Sequence, residues 1–121
     1  MATLTPTLTL TSTDATSDSL SITVTDTLTV DVPVVNMSEI NVLHTGATNI
    51  LTSAANTSIT YVYLKNADST NIITVKADDA TAIMDLGPLE FAFFPVKGAV
   101  GLEAQANVAT CKLEYGYWTK S

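Results

Sequence analysis

From Thr3 to Thr11 a threonine occupies every second position, and Leu4, Pro6, Leu8 and Leu10 fill the positions between. Alternation of this kind puts successive side chains on opposite faces of an extended chain, so the stretch predicts a strand with one hydroxyl face and one apolar face. The same parity returns at Leu20, Ile22 and Val24, and again at Leu28, Val30, Val32 and Val34, with Ser, Thr or Asp at the odd positions. Asp26 alone carries a charge into the even series, which predicts a bend or bulge there. Between the two Thr-rich stretches, STDATSDS (12–19) is full of side chains that hydrogen-bond their own backbone, and it reads as a turn.

Period-two segments continue to the end of the chain, and apolar residues at helical spacing are nowhere sustained for the ten or so positions a helix needs. EINVLH (39–44), a turn at Thr45-Gly46 and a short NIL (49–51) lead to SITYVYLK (58–65), with Ile59, Tyr61 and Tyr63 on one face. NADSTN (66–71) reads as a turn after which IITVKA (72–77) pairs back on SITYVYLK as a hairpin. AIMDL (82–86) runs into Gly87-Pro88, followed by LEFAFFPV (89–96), a turn at Gly98, AVGLEAQA (99–106) and VATCKLEYGYW (108–118). Pro88 and Pro95 fall at strand ends, where a missing donor is tolerated. Some nine or ten short strands predict an all-β fold: a jelly-roll-like β-sandwich body over residues 36–121, with an extended Thr-rich N-terminal arm or ribbon over residues 1–35.

Composition sharpens the division. All eight aromatic residues and all five lysines lie after residue 60, while residues 1–60 hold Asp14, Asp18, Asp26, Asp31 and Glu39 and no cation. Residues 1–35, lacking aromatics, have little with which to build a thick core, and a Leu/Val-faced ribbon left bare is an aggregation hazard, so the arm is expected to lie on the body or on another chain. A net charge of −7 with no arginine disfavours nucleic acid, whose phosphates select clustered Lys and Arg, and it disfavours anionic membrane surfaces likewise. With no basic, apolar leader and no span-length apolar run, the chain reads as made and used, or assembled, inside a cell. On that reading the sequons at Asn36-Met37-Ser38 and Asn56-Thr57-Ser58 are chance matches.

Catalytic constellations are nearly absent, and neither enzyme activity nor a cofactor is expected. His44, the sole histidine, shares the parity of Ile40 and Val42 and reads as a hydrogen-bonded structural residue. Cys111, the sole cysteine, reads as a small core hydrophobe. Asp78-Asp79 with Asp85 offers oxygens to calcium, but the spacing fits no EF-hand loop and a solvated turn explains it. The Thr-x-Thr rows invite an ice-binding reading, which requires many stacked repeats that the chain lacks. Tyr61, Tyr63, Tyr115, Tyr117 and Trp118 offer a platform for stacking sugars, and core packing and subunit contacts account for the same residues.

From about residue 58 onward, YVYLKN (61–66) with its polar turn and short strand, DLGPLEFAFFP (85–95) and LEY (113–115) in the closing strand resemble small virion proteins of tailed bacteriophages, particularly the capsid decoration (cement) proteins of marine phages. Such proteins commonly show Pro-Gly-Glu before the aromatic strand, where this chain has Gly87-Pro88-Leu89-Glu90. The resemblance implies a homo-oligomer, commonly a trimer, that is assembled in the host cytoplasm, sits on the capsid exterior and reinforces the shell of major capsid protein. It makes Leu4, Leu8, Leu10, Leu28, Val30 and Val32 the expected subunit or shell contacts, with Trp118 as a further interface residue. Two other readings stay open: a carbohydrate- or receptor-binding module of a tail fibre or spike, and a head–tail connector or tail component.

Overall fold

The computed structural model describes residues 2–31, 37–52 and 58–121, and among these every regular element is a strand. Two compact units divide the chain, Met1–Val32 together with Ser121, and Pro33–Lys120.

In the first unit, β1 (Ala2–Leu4) and β2 (Thr7–Ser12) run antiparallel to β4 (Leu28–Val30) and β3 (Leu20–Thr25) respectively. The register that pairs Thr7 with Thr25 also pairs Leu4 with Leu28, so the four strands make one two-stranded ribbon, interrupted where Pro6 faces Asp26. Proline has no N–H to give, and what remains of that rung is the bond from the Asp26 N–H to the Pro6 carbonyl, 3.1 Å. Of the bend or bulge expected at Asp26, the bulge is thus ruled out. No residue is inserted, and the Asp26 carboxylate accepts the N–H of Thr27 instead. At the tip, Ser12 Oγ accepts the N–H groups of Asp14 and Ala15, the turn chemistry that STDATSDS predicted.

The second unit holds β5 (Ser38–Val42), β6 (Thr48–Leu51), β7 (Thr60–Asn66), β8 (Ile73–Ala77), β9 (Ala82–Leu86), β10 (Phe91–Val96), β11 (Leu102–Ala106) and β12 (Cys111–Thr119). They form two four-stranded antiparallel sheets, ordered β10-β7-β12-β5 and β6-β11-β8-β9, packed in two layers. Alternation sends Val42, Val62, Leu64, Val96, Cys111 and Leu113 inward from the first sheet, where they meet Ile73, Val75, Leu86, Leu102, Ala104 and Ala106 of the second.

The hairpin expected between SITYVYLK and IITVKA does not form. β7 lies between β10 and β12 in one sheet, β8 between β11 and β9 in the other, and the connection crosses between layers. Asn66, fully buried at the end of β7, organises the crossing. Its Nδ2 donates to the carbonyls of Asn71 (2.8 Å), Leu86 (3.0 Å) and Gly87 (3.0 Å), and its Oδ1 accepts the Asp68 N–H (2.9 Å). One side chain therefore satisfies backbone groups from the β7–β8 connection and from the end of β9. Asp68 continues the turn by accepting the N–H groups of Thr70 and Asn71, which hold its carboxyl below the usual carboxylate range.

The turn into β10 closes with the Glu90 N–H donating to the Gly87 carbonyl, 3.1 Å, and places Leu89 in the left-handed region at φ 63°. Leucine there meets its own preceding backbone, a strain that glycine or asparagine relieves. Two outcomes follow from these local structures. Asn66→Ala leaves buried carbonyls without donors and lowers stability by about 2–4 kcal/mol, read as a fall in the urea midpoint at constant m-value. Leu89→Asn, at an exposed position, raises stability by about 0.5–1 kcal/mol, read as a rise in that midpoint.

Candidate functional site

The ribbon register sorts its threonines from its aliphatic side chains. Thr3, Thr5, Thr7, Thr9 and Thr11 share a face with Thr29, Thr27, Thr25, Thr23 and Ser21, and the hydroxyls of Thr7 and Thr25 lie 3.1 Å apart. The opposite face carries Leu8 against Val24 and Leu10 against Ile22, with Leu4 against Leu28 further along. Leu4 and Leu28 are half-buried, whereas Leu8, Leu10, Ile22 and Val24 are 40% to 56% exposed. Covering those four half-exposed side chains is worth roughly 3–6 kcal/mol before the costs of association. Both edges of this part of the ribbon are also unpaired among the described residues, and neither TLTLTS nor LSITVT contains a charge or proline to block strand addition.

The two outer faces of the body differ sharply. On the β6-β11-β8-β9 sheet two outward polar pairs bond across strands, Thr74 Oγ1 donating to Asp85 (2.7 Å) and Lys76 Nζ to Gln105 (2.7 Å), and the exposed hydrophobic of β9 is Ile83. On the β10-β7-β12-β5 sheet the register aligns Phe93 with Tyr63 and Gly116, and Pro95 with Tyr61 and Trp118. Tyr61 and Phe93 stack with centroids 6.3 Å apart, and Phe91 is 65% exposed. Gly116 lets this surface close over it: a Cβ there would lie 2.6 Å from Met37 Sδ and 3.1 Å from the Trp118 ring. Beside it Met37, Ser38, Glu39, Tyr63 and Glu114 line a shallow depression of about 250 Å³.

Among the expected interface residues, Leu8 and Leu10 lie on the exposed part of the ribbon and Leu4 and Leu28 on its half-covered part. Val30 is 1% exposed and offers no surface to a partner, so its assignment as a contact residue is set aside. Val32 lies outside the described residues. Trp118, half-buried on the outer face of β12, is remote in sequence from the ribbon residues and belongs to the aromatic surface.

The five aromatic residues weighed as a sugar platform, and accounted for by core packing and subunit contacts, split in two. Tyr115 and Tyr117 share the parity of Leu113 and pack on the core, while Tyr61, Tyr63 and Trp118 take the opposite parity, Tyr61 buried and Tyr63 and Trp118 half-buried. His44 is not the interior residue that its parity implied, because β5 ends at Val42; it is exposed, and its backbone carbonyl accepts from Gln105 Nε2 at 3.0 Å. Cys111 is buried, and burial together with the negative charge of Asp68 pushes its thiol up, away from the reactive thiolate. Asp79 accepts the Thr81 N–H and Asp85 the Thr74 hydroxyl, and among the described residues no group of three or more His, Cys, Asp or Glu gathers where it could hold a metal ion.

Sequence reasoning passed over Ile22 and Val24 as site residues, although their parity with Leu8 and Leu10 was available. It also passed over Phe91 and Phe93: the run FAFFPV is apolar on both faces, so alternation alone could not separate the outward Phe91 and Phe93 from the inward Phe94 and Val96. No helix among the described residues is long and apolar enough to cross a membrane. No protein-family model, curated protein or solved structure matches the chain.

Proposed function

We propose that the chain is a non-enzymatic structural virion protein, a capsid decoration protein of a tailed bacteriophage that binds the major capsid protein on the shell exterior as a homo-oligomer. The observation that carries the reading is the exposed aliphatic face of the ribbon, a surface with no catalytic chemistry on it and with a free-energy gain awaiting any protein that covers it. Shallow contacts of this kind gain strength when symmetry multiplies them, as it does on a shell. The resemblance of YVYLKN, DLGPLEFAFFP and LEY to decoration proteins points the same way. The jelly-roll reading of the body is supported by strand order: taken in sequence as first to eighth, the body strands run sixth-third-eighth-first in one sheet and second-seventh-fourth-fifth in the other.

One observation favours a carbohydrate-binding module instead, namely that Tyr63 and Trp118 face outward beside the shallow depression. A glycan array separates the two readings: the decoration role predicts no saturable binding, and saturable binding lost in Trp118→Ala replaces it. Copy number separates decoration from a connector or tail part, with hundreds per particle expected for decoration and six or twelve for the others. Removing residues 2–19, or substituting Leu8→Thr with Leu10→Thr, lowers occupancy on capsids by roughly tenfold or more while the body stays folded, measured by co-sedimentation with shells. Unchanged occupancy overturns the assignment of the ribbon to assembly.

A further inference from the structure

We propose that the aromatic outer face of the β10-β7-β12-β5 sheet is the seat for the aliphatic face of the ribbon from a second copy of the chain. The inference rests on the reading of the ribbon as an assembly device and names its partner. Each surface carries what the other lacks. The ribbon has Leu8, Leu10, Ile22 and Val24 and no aromatic; the sheet face presents Phe91 and Phe93, both exposed, beside Tyr63 and Trp118.

Charge selects the same pairing. Every charged residue of the ribbon unit is an acid, Asp14, Asp18, Asp26 and Asp31. Lys65 and Lys112 lie on the outward parity of the sheet, and so does Lys120, whose N–H continues the ladder by donating to the Ile59 carbonyl at 2.8 Å. Three of the five lysines therefore rim this face, against Glu39 and Glu114 on the same side. The contact between Lys112 and Glu39 is long, 3.6 Å, and solvent-exposed, so an incoming carboxylate competes with it readily.

Dimensions agree as well. The exposed ribbon strands β2 and β3 have six residues each, about 20 Å, and β10 also has six. The other sheet is the poorer seat: its strands carry no aromatic residue, its exposed Ile83 stands apart from any such field, and Thr74–Asp85 and Lys76–Gln105 bond across its outward surface. Two copies of the ribbon placed together would bring acid against acid. A ribbon on one copy and a face on the next make a head-to-tail contact, the kind that closes into a ring when the rotation allows.

The test uses two single-substitution forms of the full chain, Leu10→Cys and Phe93→Cys, mixed and oxidised with diamide; Cys111 is buried and does not compete. The proposal expects the disulfide between one Leu10→Cys chain and one Phe93→Cys chain to form at least about tenfold faster than in either form alone. It expects Lys65→Glu with Lys112→Glu, which alters only exposed or half-exposed residues, to weaken self-association seen by light scattering and to remove most of its salt dependence. Faster cross-linking of Leu10→Cys with itself overturns the proposal, as does a single-copy mass for the unmodified protein at cross-linking concentrations, or saturable sugar binding at the aromatic face. Shell binding is scored separately. Self-association through these residues without shell binding supports this inference while removing the decoration role, and shell binding by a protein that stays single-copy overturns this inference alone.

Discussion

A two-stranded ribbon has no second layer of its own, and an isolated hairpin in water is marginal at best. That constraint governs the first thirty residues. Their alternation is so regular that the register loads every threonine of the strands onto one face and the aliphatic side chains of Leu8, Leu10, Ile22 and Val24 onto the other. Cross-strand hydroxyl pairs stabilise such a ribbon by only about 0.2–1 kcal/mol each, and covering the aliphatic face adds a gain of at least similar size. On the proposed reading another protein surface completes the ribbon, and its uncharged edges allow strand pairing as well as packing.

The body supplies the opposite properties. Two sheets enclose a continuous core, and of the connections between consecutive body strands only that from β8 to β9 stays within one sheet. Strands are therefore held by partners far away in sequence, and the crossings between layers need polar fixtures such as Asn66, whose bonds reach three carbonyls at once. A frame of that kind keeps its outer surfaces in place. One carries bonded polar pairs with Ile83 exposed on β9, the other an aromatic field rimmed by lysines, and it is the second that the proposed assembly uses.

Much of this was legible in the residues because period two is a local signal. Thr3 to Thr11 and Leu20 to Val24 declare their faces, STDATSDS declares its turn, and most of the later strands fall where their alternation put them. Pairing was not legible. IITVKA follows SITYVYLK after a polar turn that looks like a hairpin loop, and the signal that it crosses to the other sheet is carried by the buried amide of Asn66, which in sequence is just another turn residue. The aromatic face was legible only in part. Parity with Leu113 sends Tyr115 and Tyr117 inward and Trp118 outward, but FAFFPV is apolar at every position and shows its faces only once β10 pairs with β7. His44 fails for a related reason: parity carries no information past the last paired residue of a strand, Val42.

The claim that the ribbon is completed from outside is tested most directly by amide hydrogen exchange at residues 7–12 and 20–25, compared between dilute isolated protein and the assembled form. The account predicts that these amides gain protection of roughly a hundredfold on assembly, while those of Val62, Leu64 and Leu113 in the buried body stay unchanged. Equal protection of the ribbon in both states would contradict it.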